Sequence, residues 1–405
     1  TPIRIFQNKY NIFNIFLILT VIYLLCLQSS YGLTNNDASN LTTTPTAAVQ
    51  HTAISKTKMG ASLTDSTSNG KSVIIKNKYY VLTINGSNGA IESFKKGTQE
   101  FILQSKQPRA LFTIRFRDAQ GKPIELSALD AKKFSISQDS SNDKFIVRMI
   151  YKSLNNMPVD ATVSVLCIAN SPLTYWNLSI QHDTDYFIDH IDFPNVIVPN
   201  DLIATGGDGR IFWPAMEGVI IEDANLREKS WLKYRPVEYP NQGWMGYYPG
   251  PCQMQFMAYY RKEGGLYIAA HDEQCNIKGI EWHKSNEGGI QLHYRLFPGG
   301  IKRGTYTMPY DMVLGVFEGN WYDAADIYRN WVKSSKMVLP PKIYENAHLP
   351  EWLKQSPVVV IYPIRGTKDL GDMSPNEYYP YTNALPHIER LSKQLDSKIL
   401  VEFVK

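Results

Sequence analysis

Apolar and polar residues alternate with a period of two through much of residues 72–317, and that spacing most narrows the folds open to this chain. Val163, Val165 and Cys167 share one side of an extended backbone, as do Trp176, Leu178 and Ile180. Period two puts successive side chains on opposite faces of a strand, one face buried and the other wet. The expectation is antiparallel sheet. Val73-Ile74-Ile75 and Tyr79 to Ile84 read as strands separated by Lys76-Asn77-Lys78, and Asn88-Gly89 marks a tight turn before Ala90 to Phe94. Between residues 200 and 300 the strands are interrupted by Gly-rich and aromatic loops, including Gly206-Gly207-Asp208-Gly209-Arg210 and Gly243 to Gly250. No repeat of fixed period occurs, which argues against a propeller or a solenoid. A large β-sandwich with long loops fits best.

After Phe317 the period changes. Trp321, Ala324, Ala325, Tyr328, Trp331 and Val332 fall on one face of an α-helix, with Asn320 as N-cap, Asp323 in the first turn, and Lys333 and Lys336 toward the other end. Pro340-Pro341 breaks the chain. Val358-Val359-Val360-Ile361 is wholly apolar, as in a parallel strand buried on both faces. Leu385, Ile388, Leu391 and Leu395 form a second helical stripe, with Pro386 in its first turn, and Ile399-Leu400-Val401 is another strand. Strand, loop, helix, strand is a βαβ unit. The fold class expected is therefore mainly β: an antiparallel β-sandwich, then the first βαβ unit of an incomplete (β/α)8 barrel.

The first residues carry a different signal. Arg4 and Lys9 precede an apolar run from Ile12 to Leu27, and Ser30-Tyr31-Gly32 supplies small residues for cleavage. We expect a signal peptide over residues 1–32, with a signal anchor as the alternative. Residues 33–70 are rich in Ser, Thr and Asn and too poor in apolar groups to offset their conformational entropy, so they read as a disordered linker. The remaining divisions are a sandwich over 71–318, a linking helix and connector over 319–355, and the start of a barrel over 356–405. Thr1 in place of Met, and the apolar run that ends at Lys405, suggest part of a longer chain.

Export agrees with sequons at Asn40, Asn85 and Asn177. On its strand Asn177 alternates with Trp176 and Leu178, so a glycan there is expected to point to solvent. The compartment expected is secreted, extracellular or endolysosomal. Of the four cysteines, Cys26 lies in the leader, so Cys167, Cys252 and Cys275 remain and allow one disulfide at most. Cys252 and Cys275 flank one hairpin-like stretch and are the candidate pair; buried thiols are the alternative. Losing Arg4 and Lys9 with the leader takes the formal charge from +4 to +2. A near-neutral chain gives no reason to expect nucleic acid as partner, and no second segment has the length of a membrane span.

In a βα-barrel the site lies in loops at the C-terminal ends of the strands. After the first such strand, the loop 362–380 holds Arg365, Lys368, Asp369, Asp372, Glu377, Tyr378 and Tyr379, and Glu402 lies near the end of the second. Arg365, Asp369, Asp372 and Glu402 are candidates for taking sugar hydroxyls; an ordinary solvated loop is the alternative. Trp213, in the loop 213–218, and Trp244, near Tyr247 and Tyr248, are candidate stacking platforms for sugar C–H faces, or else core residues. His271-Asp272 reads as a base and its orienter, or as a turn. No zinc spacing, phosphate loop or nucleophile elbow is present, and no cofactor or metal is expected. Glycosidic hydrolysis needs two carboxyl groups about 5–10 Å apart, and no pair here can be assigned.

These residues carry a resemblance. Tyr80 to Ile84 leading to Asn88-Gly89-Ala90-Ile91, the strand Gly264 to Asp272, and the junction Tyr310 to Trp331, with its W-x-x-A-A-x-x-Y-x-x-W pattern, resemble secreted glycoside-hydrolase-like proteins. In that group a galactose-mutarotase-like β-supersandwich precedes a TIM barrel, as in α-galactosidase-like and endo-α-N-acetylgalactosaminidase-like enzymes. The resemblance implies hydrolysis of an O-glycosidic bond of a carbohydrate substrate by Asp or Glu on later barrel strands, so the chain alone is expected to be inactive. Two rivals stand beside it. One is a non-enzymatic carbohydrate-binding or adhesion protein. The other is a mutarotase-class epimerase, which needs a His and carboxylate pair drawn from His182, His190, His271 and His293.

Overall fold

The computed structural model describes residues 72–141, 143–215, 218–226, 246–355, 357–363, 374, 375, 377 and 379–404. The chain divides into two compact units between Met337 and Val338. No helix among the described residues is long and apolar enough to cross a membrane.

The first unit is built from antiparallel sheets. A four-stranded sheet from Val73 to Glu100 opens it, followed by a ten-stranded and a seven-stranded sheet. The ten-stranded sheet centres on Leu173–His182, which pairs with Val159–Ile168 on one side and Asp311–Phe317 on the other. The seven-stranded sheet runs through Lys278–Lys284, Ile290–Leu296, Phe187–Asp192, Thr113–Arg117 and Pro123–Ser127. The two larger sheets face each other across one core. Trp213 Nε1 on the ten-stranded sheet donates to Ile280 O on the other at 2.8 Å, and Tyr294 Oη returns to Gln255 O and Ile268 O, each at 3.0 Å. Alternation sends Val163, Val165, Trp176 and Leu178 inward, where they are fully buried. The antiparallel sandwich expected from period two is present.

The strands nearest the middle depart from simple alternation. Phe256–Arg261, Gly264–His271 and Asp311–Phe317 are buried at nearly every position. Their second face is covered by the helix Trp321–Ser334, here α1. Phe212, Phe256, Tyr267 and Val313 pack beneath its residues Ala324 and Tyr328. Trp321 lies parallel to Phe212 at 5.2 Å, and Phe212 stacks on Phe256 at 5.0 Å. The N-cap forms as expected: Asn320 Oδ1 accepts from Tyr322 N at 2.9 Å, while Asp323 Oδ2 accepts from Asn320 N at 2.8 Å. The helix anticipated as a linker therefore packs on the sandwich. Gly264 turns the tightest hairpin beside it, with φ of +140° and a hypothetical Cβ only 2.2 Å from Phe317 O.

One ion pair is shut inside the sandwich. Lys278 Nζ lies 2.7 Å from Asp272 Oδ2, with both side chains almost wholly excluded from solvent. It also donates to Gln255 Oε1 at 2.8 Å and Asn276 O at 2.6 Å, and the rings of Tyr248 and Tyr310 each lie 4.9 Å from it. Burial pulls Lys278 below the ordinary lysine range, against the opposing influence of Asp272. Asp272 also accepts from Gln274 N and Asn276 N, so it shapes the turn that brings Lys278 in.

The second unit contains the parallel pair Val358–Pro363 and Ile399–Val404, with Val358 opposite Ile399. Helix Leu385–Leu395, here α2, lies between them in sequence. The strand–helix–strand order was legible in the sequence. Residues 358–360 are half-buried where full burial was expected, and Leu385 and Leu395 are 48% and 49% exposed. Two strands and one helix do not enclose that many apolar side chains.

Replacing Lys278 by Ala is expected to cost about 3–5 kcal/mol, because it leaves the buried Asp272 carboxyl without its ion-pair partner. The double substitution Lys278→Met, Asp272→Asn should lose clearly less. Urea denaturation of the three proteins measures both.

Candidate functional site

The outward face of the seven-stranded sheet is polar, and its middle is buried while Glu125 at the edge is exposed. Antiparallel pairing sets Glu281 opposite His293, His283 opposite Gln291, Arg295 opposite Asp192, and His190 opposite Arg115. Glu125 pairs with Arg115 on the same face. A bulge between Ile188 and His190 turns His190 onto the side that carries Asp192. Glu281, His190, His293 and Arg295 are each under 7% exposed.

The groups are organised by charge. Arg295 grips Asp192 in a two-point contact, Nε to Oδ1 at 2.7 Å and Nη2 to Oδ2 at 2.9 Å. His293 Nε2 lies 3.8 Å from Asp192 Oδ1, and His283 stands edge-on to His293 with centroids 5.4 Å apart. Asp189 Oδ2 is shared by His190 Nδ1 at 3.1 Å and Arg117 Nε at 3.1 Å. Burial alone would raise the Asp192 carboxyl, but His293 and Arg295 hold it below the usual carboxylate range. Burial, helped by Arg295, lowers His190 to about 4 despite Asp192 and Asp189. The neutral His190 imidazole beside carboxylates can take and return a proton, and the arginines can hold hydroxyl oxygens.

The residues singled out in the sequence fare differently. Arg365, Asp369, Asp372, Trp244 and Asn40 lie outside the described residues. Glu402 is half-buried on the last strand, opposite Ile361. Trp213 is not a platform: it is 3% exposed, donates to Ile280 O and meets Trp282 edge-on at 6.3 Å, so it fills the core. Tyr248 is likewise interior and donates to Cys275 Sγ at 3.2 Å. That contact corrects the disulfide expectation, since Cys252 and Cys275 are thiols and burial pushes Cys252 up. His271 stacks on Trp331 at 4.5 Å, and Asp272 caps its turn, so they form no base and orienter. His182 is bonded to Thr184 and meets the ring of Phe116, away from the cluster.

Asn177 does not face solvent as expected. Its Nδ2 donates to Met308 O, Tyr310 O and Asp311 Oδ1 at 3.3, 3.1 and 3.0 Å, tying the strand to the segment before Asp311–Phe317. Asn85 Nδ2 donates to Glu92 Oε1 at 2.6 Å beside a polar recess of about 560 Å³. Sequence reasoning missed Arg115, Arg117, Asp189, Asp192, Glu281, His283 and Arg295, because alternation marks them as the solvent face. Their one signal was density: Gln291, His293 and Arg295 place three large polar groups on consecutive outward positions.

Comparison with known proteins then adds to this geometry. Residues 306–404 match the model of a domain of unknown function, DUF6259. No curated protein matches the chain. Among solved structures, the alpha-N-acetylgalactosaminidase NagBb from Bifidobacterium bifidum in its GalNAc complex is similar, with a TM-score of 0.57 at 11% identity, over 82% of this chain and 51% of that one. Its ligand-free form gives 0.54 at 10% identity over the same shares. The GH36 alpha-galactosidase AgaB from Geobacillus stearothermophilus gives 0.42 at 8% identity, over 82% of this chain and 49% of that one. The chain spans about half the length of these enzymes. At such identities the likeness is one of fold alone.

His190 and His271 make stability depend on pH. Both have folded values depressed from 6.5, to about 4 and about 3, with burial as the main cause. The unfolded chain takes up their protons first, so their stability is complete above 6.5 and is lost as pH falls toward those folded values. The melting temperature should drop between pH 7 and pH 4, and the drop should be smaller in His271→Phe. In a glycosylating host, peptide mapping of the folded protein should find Asn177 unmodified.

Proposed function

We propose that the chain forms the sandwich and the opening strand–helix–strand of a glycoside-hydrolase-like protein that acts on an O-glycosidic bond of a carbohydrate. The observation that carries this reading is the extent of the fold likeness. At 82% of the chain it exceeds what the unit Ala48–Met337 supplies, so it takes in residues beyond the sandwich. A parallel strand pair joined through a helix is the repeating unit of a (β/α)8 barrel, and barrel enzymes keep their reacting groups at the C-terminal strand ends. Glu402 stands near such an end. The α-N-acetylgalactosaminide named for the structural neighbour is the first substrate to test. Because those enzymes are about twice as long, this reading gives the second carboxyl group to a part of the whole protein beyond the described strands. The apolar leader supports a secreted protein.

Release of nitrophenol from aryl α-N-acetylgalactosaminide and α-galactoside tests the reading. The full-length protein should turn over at least one of them, and the present chain alone should turn over neither. Turnover by this chain alone, or none by the full-length protein, would contradict it.

A second reading has its own observation. His190 and His293 stand beside Asp189 and Asp192 on one buried face, the type of pair that a mutarotase-class epimerase needs. Polarimetry of freshly dissolved α-galactose decides it. Acceleration abolished by His293→Gln supports the epimerase, and a rate equal to the buffer rate removes it.

A further inference from the structure

We propose that the groove between the C-terminal half of α1 and the outer face of the ten-stranded sheet binds a protonated amino sugar, with Asp311 as its counter-ion. The groove has a volume of about 490 Å³, room for one hexose and its water. Leu173, Tyr175, His271 and Asp311 line it from the sheet, and Ile327, Asn330, Trp331 and Ser334 from the helix. All of these lie within the sandwich unit.

The groups that line the groove carry one formal charge, that of Asp311, while Lys333 of the same helix turn is not among the lining residues. Asp311 is half-buried opposite His271 in the sheet register, and its Oδ1 accepts from Asn177 Nδ2 at 3.0 Å. None of the ion pairs among the described residues includes Asp311, and no Lys or Arg lines the groove. The helix presents its last turn, the negative end of its dipole. Tyr175 and Trp331 offer electron-rich rings, which attract cations. His271 is not a competing cation, since burial holds its imidazole neutral down to about 3. A partly desolvated carboxylate among such groups favours an ammonium ion. The aromatic and aliphatic lining suits the C–H face of a pyranose, while Asn330 and Ser334 can take its hydroxyls. Hence the ligand is a charged amino sugar and not its N-acetyl form. The site is separate from the polar face of the other sheet, and it stands or falls independently of the hydrolase reading.

Calorimetric titration of the full chain with galactosamine at pH 6 tests the proposal. Saturable binding is expected, with N-acetylgalactosamine and galactose at least about tenfold weaker because they lack the charge-assisted bond. Ethanolamine, which has the charge without the ring, should also be weaker. Asp311→Asn should lose about tenfold or more in affinity. Asn330→Trp, at an exposed helix position, should fill the groove and abolish binding while the melting temperature holds. Equal affinity for the neutral sugars or for ethanolamine, no saturable binding by the unaltered chain, or wild-type affinity in Asn330→Trp would each overturn it.

Discussion

The middle strands of both large sheets are buried on both sides, while edge strands such as Ala131–Ser141 and Pro123–Ser127 expose their outer faces, and the placement of buried charge follows from that constraint. A shared apolar core fills the space between the two sheets, and the outer face of Phe256–Arg261, Gly264–His271 and Asp311–Phe317 is covered by the aromatic layer under α1. The outer face of the seven-stranded sheet is buried at Glu281, His190, His293 and Arg295 while still carrying their polar groups. Buried ionic groups persist only when paired, so Arg295 with Asp192 and Arg117 with Asp189 are conditions for that face to exist. The same rule explains Lys278, which keeps its charge inside the sandwich because Asp272, Gln255 and two tyrosine rings surround it.

The sequence announced the sandwich clearly. Period two in Val163, Val165 and Cys167 is set by the geometry of a strand, and any strand with one apolar neighbour must show it. The cap at Asn320 and the stripe from Trp321 to Val332 were equally legible, because helix period and capping are local. What alternation could not reveal was a second cover. A polar residue facing solvent and one facing a buried layer read alike, so Arg115, Asp192 and Arg295 were passed over. Trp213 failed for the opposite reason: an aromatic residue near a Gly-rich loop looks like a platform, but its indole N–H had a carbonyl waiting across the core at Ile280. Asn177 was assigned to the correct face, yet that face meets the segment 308–311 and not water.

Two arrangements compete for chemistry. The polar face of the seven-stranded sheet has the proton-transfer groups, but Asp192 and Asp189 are already engaged by arginine. Such engagement suits a structural layer or a tightly ordered site. The parallel strands have less to show in themselves, with Glu402 alone near a strand end. The fold likeness covers 82% of the chain, and in barrel enzymes the strand ends are where reacting groups gather. The proposed hydrolysis would then belong to the parallel unit, with the sandwich as its support.

Hydrogen exchange in the full-length protein, with and without an N-acetylgalactosamine-type iminosugar, separates these assignments most directly. The account predicts slower exchange on binding in Val358–Pro363 and Ile399–Val404, with Phe187–Asp192 and Ile290–Leu296 unchanged. Protection confined to Phe187–Asp192 and Ile290–Leu296 would contradict it and move the chemistry into the sandwich.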